Sequence, residues 1–313
     1  MIRKFLYALL RFSILPLLAL VLLELDITIH KKGLLSEKKL EKIFQNSGTT
    51  YRWVTQVRHT NKVLLLGSSS IKYGLSCTLL NKLSNDSLSF INLAADARDP
   101  VETYFILKHT DLTNVTKVYY GIDPWIFVKT YYKNRNSYLY LDMDLMTAGR
   151  YSLEHDPQFF PKRYKALFNS WVSTSTLNAS TGQPIPPDFG SATLDKVPTN
   201  FDDPVHKKFQ LEKYGWSNLQ FEYLQKIVQL CNSKTISFIA FYPPRRSDFI
   251  TDYHQNCAAI HIAFLEKLKA TGFSTPIIGS HDQLRSYGDG IFADAYHLNG
   301  KGQKIYSPVF LLK

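Results

Sequence analysis

Cysteine is scarce in this chain: three residues in 313 (Cys77, Cys231 and Cys257), with no Cys-x-x-Cys pair and no metal-ligand spacing. That excludes a zinc ribbon or a dithiol redox motif and leaves no expected metal. In an exported protein Cys231 and Cys257 would be available to pair, leaving Cys77 alone, but three buried thiols is the plainer expectation. Clustered basic charge is also missing. Lys and Arg number 37 against 26 Asp and Glu, a net charge of +11, yet the lysines are scattered and pairs such as Lys31-Lys32 read as solvated or juxtamembrane charge. With no zinc-finger spacing, RNA-binding signature or basic helix, nucleic acid is not the expected partner. An anionic membrane surface suits the same charge better. No internal repeat is present. The composition, 45% hydrophobic and 20% charged, is globular, and the length allows one or two domains.

One long apolar run is present. After Arg3 and Lys4, residues Phe5 to Leu25 are interrupted only by Arg11, Ser13, Pro16 and, next to the end, Glu24. Counted from Phe5, the run reaches the roughly 20 residues that a bilayer core requires, with Arg11 able to snorkel. A cleavable signal peptide wants small residues after its apolar core, whereas Leu23-Glu24-Leu25-Asp26 follows here. Residues 1–27 therefore read as a single-pass anchor, its amino terminus inside and the body outside. Residues 28–60 read as a juxtamembrane linker with a helix over Ser36 to Gln45.

From residue 61 onward, five short apolar runs read as strands buried on both faces of a parallel sheet: Val63–Leu66, Phe90–Ala94, Val118–Ile122, Ile236–Tyr242 and Pro276–Ile278. Helices are expected over Leu75–Leu83, Val101–Thr110, Ser217–Asn232 and His254–Thr271. Strand alternating with helix is the sequence form of a doubly wound α/β sheet. The interval from about 125 to 215, rich in Tyr, Asn, Ser, Thr and Pro, breaks the rhythm and reads as an insertion or lid, with short helices near Pro161 to Trp171.

Chemistry concentrates in two places. The first strand ends in Gly67-Ser68-Ser69-Ser70, where glycine permits a sharp bend and the serines reach the carboxyl edge of the sheet. Far downstream, Asp294-Ala295-Tyr296-His297 sets an acid and an imidazole three residues apart, close enough to pair within one turn. Leu298-Asn299-Gly300 then reads as a turn into a final helix. Together these segments offer a nucleophile, a base and an orienting carboxylate.

The pattern resembles the SGNH/GDSL hydrolase superfamily, and most of all its membrane-anchored envelope branch, which includes accessory proteins of alginate O-acetylation and the teichoic-acid D-alanylation protein. The resemblance runs from about Lys62 to Ser307 and rests on Gly67-Ser68-Ser69, Asp294-x-x-His297 and the order of the elements. It implies a three-layer flavodoxin-like fold, Ser69 as nucleophile (Ser68 and Ser70 as alternatives), His297 as base and Asp294 as its partner. In the family's second block a glycine amide faces the oxyanion; here Ala97 occupies that place after Asn92. The third block carries Gly-x-Asn; here Gly121-Ile122-Asp123 ends in a carboxylate, which accepts hydrogen bonds where asparagine donates and is expected to repel an oxyanion. Arg245 and Arg246, after the fourth strand, are either anion ligands for a glycan or simply exposed. The resemblance implies an esterase or acyltransferase acting on O-acyl groups of a cell-surface polysaccharide, alongside an integral membrane O-acyltransferase and without a cofactor. A non-catalytic glycan-binding or acyltransferase-partner protein on the same fold is the alternative, and a lipid or small-ester hydrolase a third reading.

Overall fold

The computed structural model describes residues 51–129, 143–155, 188–194, 215–246, 254–279, 287–294 and 296–312, with individual positions between 14 and 25 and between 157 and 163. The chain forms two compact units. The larger holds a five-stranded sheet of β1 (Lys62–Leu66), β2 (Ser89–Asn92), β3 (Val115–Gly121), β4 (Ser237–Phe241) and β5 (Ile277–Ile278). Their order is β2-β1-β3-β4-β5, and every pairing is parallel. This is the flavodoxin-like order, in which the chain reverses direction of travel across the sheet beside β1.

Burial explains the apolar runs. All five residues of β1 are buried, even Lys62, whose ammonium donates to the carbonyl of Val54 at 2.7 Å. Val63 and Leu65 pack with Phe90, Tyr119 and Phe241 on one face of the sheet. The alternate residues Leu64, Leu66 and Tyr120 point to the other face and are equally buried. A strand covered on both faces must be apolar throughout, each such side chain contributing roughly 1.5–3 kcal/mol when fully buried.

Among the described residues, helices with both ends in view are α1 (Tyr51–Gln56), α2 (Ser69–Lys72), α3 (Cys77–Leu83), α4 (Pro100–His109), α5 (Leu145–Glu154), α6 (Asn218–Ser233), α7 (His254–Ala270) and α8 (Gly300–Leu311). Local chemistry starts four of them. Ser76, Asp99, Ser217 and Asn299 each accept a backbone N–H from the first turn, and Pro100 opens α4 where its missing N–H costs nothing. Helix α3 packs with α8, whose Tyr306 and Phe310 join the Val63 face. Helix α4 packs with α6 and lends Thr103 to the hydroxyl of Tyr120 on the opposite face. The result is three layers.

The predicted strands and helices shift by only a few residues, and β5 shortens to two. Cys77 and Cys231 are free and buried, as the plainer expectation had it, and the alternative pairing of Cys231 with Cys257 is not formed. Burial pushes the Cys231 thiol up to about 12, so it is inert at neutral pH. The expected helix over 36–45 lies outside the described residues, as do most of the apolar run over 5–25 and most of the insertion. Among the described residues no helix is long and apolar enough to cross a membrane.

The smaller unit takes in residues 1–48, 134–153 and 157–181. Its described part contains helical positions between Ile14 and Leu25, and helix α5, begun by Asp144, whose carboxylate accepts the N–H of Thr147 at 2.8 Å. Arg163 is wholly buried there. It donates two hydrogen bonds to the Glu24 carboxylate, at 3.0 and 2.8 Å, and one to the Met143 carbonyl at 2.7 Å.

Candidate active site

Every sequence-predicted site residue follows the carboxyl end of a strand or precedes α8. The bend after β1 depends on two glycines. Gly67 has φ +135°, and a Cβ there would lie 2.9 Å from the Gly121 carbonyl oxygen. A Cβ on Gly121 would in turn overlap the Ile71 side chain. With neither present, the ends of β1 and β3 close up and Ile71 of α2 lies against them. Ser69 opens α2, where the first-turn amides have no intrahelical acceptor.

The acid and base come from a tight loop closed by an antiparallel bridge between Phe292 and Leu298, with the Ala293 N–H on the His297 carbonyl at 2.8 Å. Asp294 Oδ1 accepts the backbone N–H groups of Tyr296 and His297, at 2.8 and 2.9 Å. Its Oδ2 lies 2.7 Å from His297 Nδ1, and His297 Nε2 lies 2.8 Å from Ser69 Oγ. The carboxylate favours the tautomer with its proton on Nδ1, which leaves Nε2 as acceptor for the serine hydroxyl. Ser69, His297 and Asp294 thus meet across 228 residues of sequence.

The neighbouring serines do different work. Ser68 and Ser70 are buried, 3.0 Å apart at their hydroxyls, and Ser68 donates to Asp123 Oδ2 at 3.3 Å. Among the three serines only Ser69 is partly exposed and touches the imidazole, so the geometry selects it.

Ala97 adopts φ +57°, the left-handed conformation that glycine takes most readily, so alanine keeps the turn that was expected of glycine there. Asp123 is neither isolated nor free to face an incoming anion, as the sequence had suggested. Arg245 Nη2 lies 3.2 Å from its Oδ2, with the two side chains only 10% and 11% exposed. The other Asp123 oxygen is buried and takes no hydrogen bond among the described residues. Arg245 also donates Nη1 to the Tyr296 carbonyl at 3.2 Å. One guanidinium therefore joins the carboxylate beside the serine turn to the residue before His297. Neither arginine is the exposed side chain weighed from the sequence: Arg245 is largely covered and Arg246 is buried.

Three further contributors were not anticipated. Tyr73, one turn after Ser69, sets its ring edge-on to His297 with centroids 5.4 Å apart. An i, i+4 reading from Ser69 would have found it. Lys72 and Asp96 form an exposed ion pair at 3.3 Å that spans from α2 to the turn carrying Ala97. The segment 188–194 ties the site's supports together. Phe189 accepts from the Asn92 amide, Ser191 accepts from the Asn92 side chain, Ala192 donates to Lys72, and Leu194 accepts from Gly300. Asn92 itself is wholly buried and spends its side chain on Ile71, Ala94 and Ser191.

A second serine–histidine contact lies apart from this cleft. His155 Nε2 is 2.9 Å from Ser217 Oγ, but both are buried and Ser217 caps α6. It reads as a structural network.

The Ser69–His297–Asp294 contacts have the geometry that a hydroxyl, a base and an orienting acid would need, on a doubly wound α/β sheet at the carboxyl ends of its strands. No known family model and no curated protein matches the chain.

Proposed function

We propose that this chain is a membrane-anchored serine esterase or O-acyltransferase of SGNH type, acting on O-acyl groups of a cell-surface polysaccharide. The observation that carries the chemistry is the pair of contacts at His297, 2.8 Å to Ser69 Oγ and 2.7 Å to Asp294. The substrate class, the extracytoplasmic placement and an integral membrane acyl donor partner rest on the resemblance in sequence and on the apolar amino-terminal run.

In this reading His297 Nε2 takes the Ser69 proton as Oγ attacks the acyl carbonyl, while Asp294 supports the imidazolium. The amides of Ser69 and Ala97 receive the oxyanion. The imidazolium then protonates the departing alkoxide, leaving an acyl-Ser69 ester. A water or sugar hydroxyl, deprotonated by His297, takes the acyl group and restores the serine. The chemistry calls for no metal or organic cofactor. Because Asp123 is held by Arg245, its charge is countered close to the place where the oxyanion forms.

A fluorophosphonate probe on the purified chain tests the reading. Labelling at Ser69 that vanishes in Ser69→Ala is expected, and so is loss of glycan O-acylation in cells carrying that variant. Native protein that takes no label, with acylation unchanged by Ser69→Ala, would favour the second reading, a non-catalytic glycan-binding or acyltransferase-partner protein. The observation behind that alternative is Asp123, an acceptor where an oxyanion site wants a donor.

A further inference from the structure

In the smaller unit, helix α5 is built inside out. Its buried residues are Thr147, Ala148, Tyr151 and Ser152, small or polar apart from the tyrosine. Its apolar side chains face outward, with Leu145 49%, Met146 78% and Leu153 85% exposed. At 3.6 residues per turn, Met146 and Leu153, seven apart, lie nearly on one line, and Leu145 lies about 80° round the helix on their side, away from the buried residues. A helix packed on a water-facing domain places such residues against the core.

The same unit carries other exposed apolar side chains. Among the described residues of the amino-terminal apolar run, Ile14, Leu17, Leu18, Val21, Leu22 and Leu25 are helical and each is at least half exposed. Arg163 joins the two, since it holds Glu24, at the end of that apolar run, and the carbonyl of Met143, just before α5. A buried two-point ion pair at the edge of an apolar segment is the arrangement by which an acid is tolerated near hydrocarbon.

We propose that α5 is a second membrane contact, lying in the bilayer interface with Leu145, Met146 and Leu153 among the acyl chains, and that Arg163 and Glu24 fix it to the anchoring segment. The proposal rests on the membrane-anchor reading above. A lipid surface fits better than a second copy of the chain. Three side chains offer a few hundred Å2, whereas a stable protein interface needs roughly 800 Å2 per partner. An excess of basic residues, 37 against 26 acidic, also suits anionic headgroups.

The test uses the full chain reconstituted in phosphatidylcholine–phosphatidylglycerol vesicles, with an environment-sensitive fluorophore on Met146→Cys, Leu153→Cys, Leu18→Cys or Lys301→Cys in turn. Signal from the native thiols, measured on the unsubstituted chain, is subtracted. The expected result is blue-shifted emission and quenching by nitroxide-labelled lipid at 146, 153 and 18, and neither at 301. If 18 is quenched by lipid while 146 and 153 are quenched by aqueous iodide, the anchor stands and this proposal falls. If 18 also reports water, the anchor reading fails and takes the proposal with it. Self-quenching at 146 that grows with protein density, without lipid quenching, would assign the stripe to a second copy and overturn the proposal as well.

Discussion

Replacing Arg245 with alanine should cost the sheet-bearing unit about 3–5 kcal/mol, the penalty for stranding one member of a buried ion pair. The size follows from the surroundings. The guanidinium and the Asp123 carboxylate are 3.2 Å apart and nearly nine-tenths covered, so water screens them little. Asp123 Oδ1 already lacks a hydrogen bond among the described residues, and without Arg245 its Oδ2 would keep only the Ser68 hydroxyl at 3.3 Å. An uncompensated charge would then face the serine turn. Removing both charges, as Arg245→Met with Asp123→Asn, should be far milder, since the desolvation cost goes with them. Urea denaturation followed by tryptophan fluorescence measures the stabilities, and the rate of fluorophosphonate labelling reports the site. Arg245→Ala should slow labelling, and the double variant should recover part of it. Equal losses in the single and double variants would show that the two groups are not coupled, and would refute the claim that Arg245 neutralises Asp123.

Three further outcomes are expected. Asp294→Asn should leave the fold intact but cut Ser69 acylation by roughly 1,000- to 10,000-fold, because an amide can stabilise the wrong imidazole tautomer; a loss under tenfold would remove Asp294 from the triad. Ala97→Val should lower stability by about 1–2 kcal/mol and slow acylation, because a branched side chain resists φ +57°, whereas Ala97→Gly should keep both, as urea midpoints and probe kinetics will show. His155 is held down to about 4 by burial and by the charge of Lys129, so the folded state keeps it neutral where the unfolded chain binds a proton. Stability should therefore fall as pH drops from about 6.5 towards 4, by on the order of 3 kcal/mol in all, and His155→Gln should flatten that slope.

Strands and triad were legible because both are written locally. An apolar run bounded by turn residues announces a doubly covered strand, and Gly67-Ser68-Ser69 with Asp294-x-x-His297 keeps its chemistry within a few residues. What sequence could not supply was how the residues around these motifs pair and bend. Asp123 looks like an obstacle to catalysis until Arg245, 122 positions later, is seen to hold it. Ala97 looks like a lost glycine until its φ is known. The outward stripe of α5 was invisible for a related reason. Its spacing is that of any amphipathic helix, and only burial tells which side faces the protein. The absence of a Cys-x-x-Cys pair pointed to buried thiols, and Cys231 does sit on the buried face of α6.

The separation of Ser69 from His297 also sets an order of events during synthesis. Chains are made from the amino terminus, so Ser69 leaves the ribosome long before the base assigned to it. Until the loop at 292–298 docks, Ser69 is an ordinary alcohol, unreactive towards any ester it meets. Nascent chains, and fragments broken before that loop, carry the nucleophile without the means to use it. In the proposed mechanism, reactivity would appear only once these two parts of the fold have closed on each other.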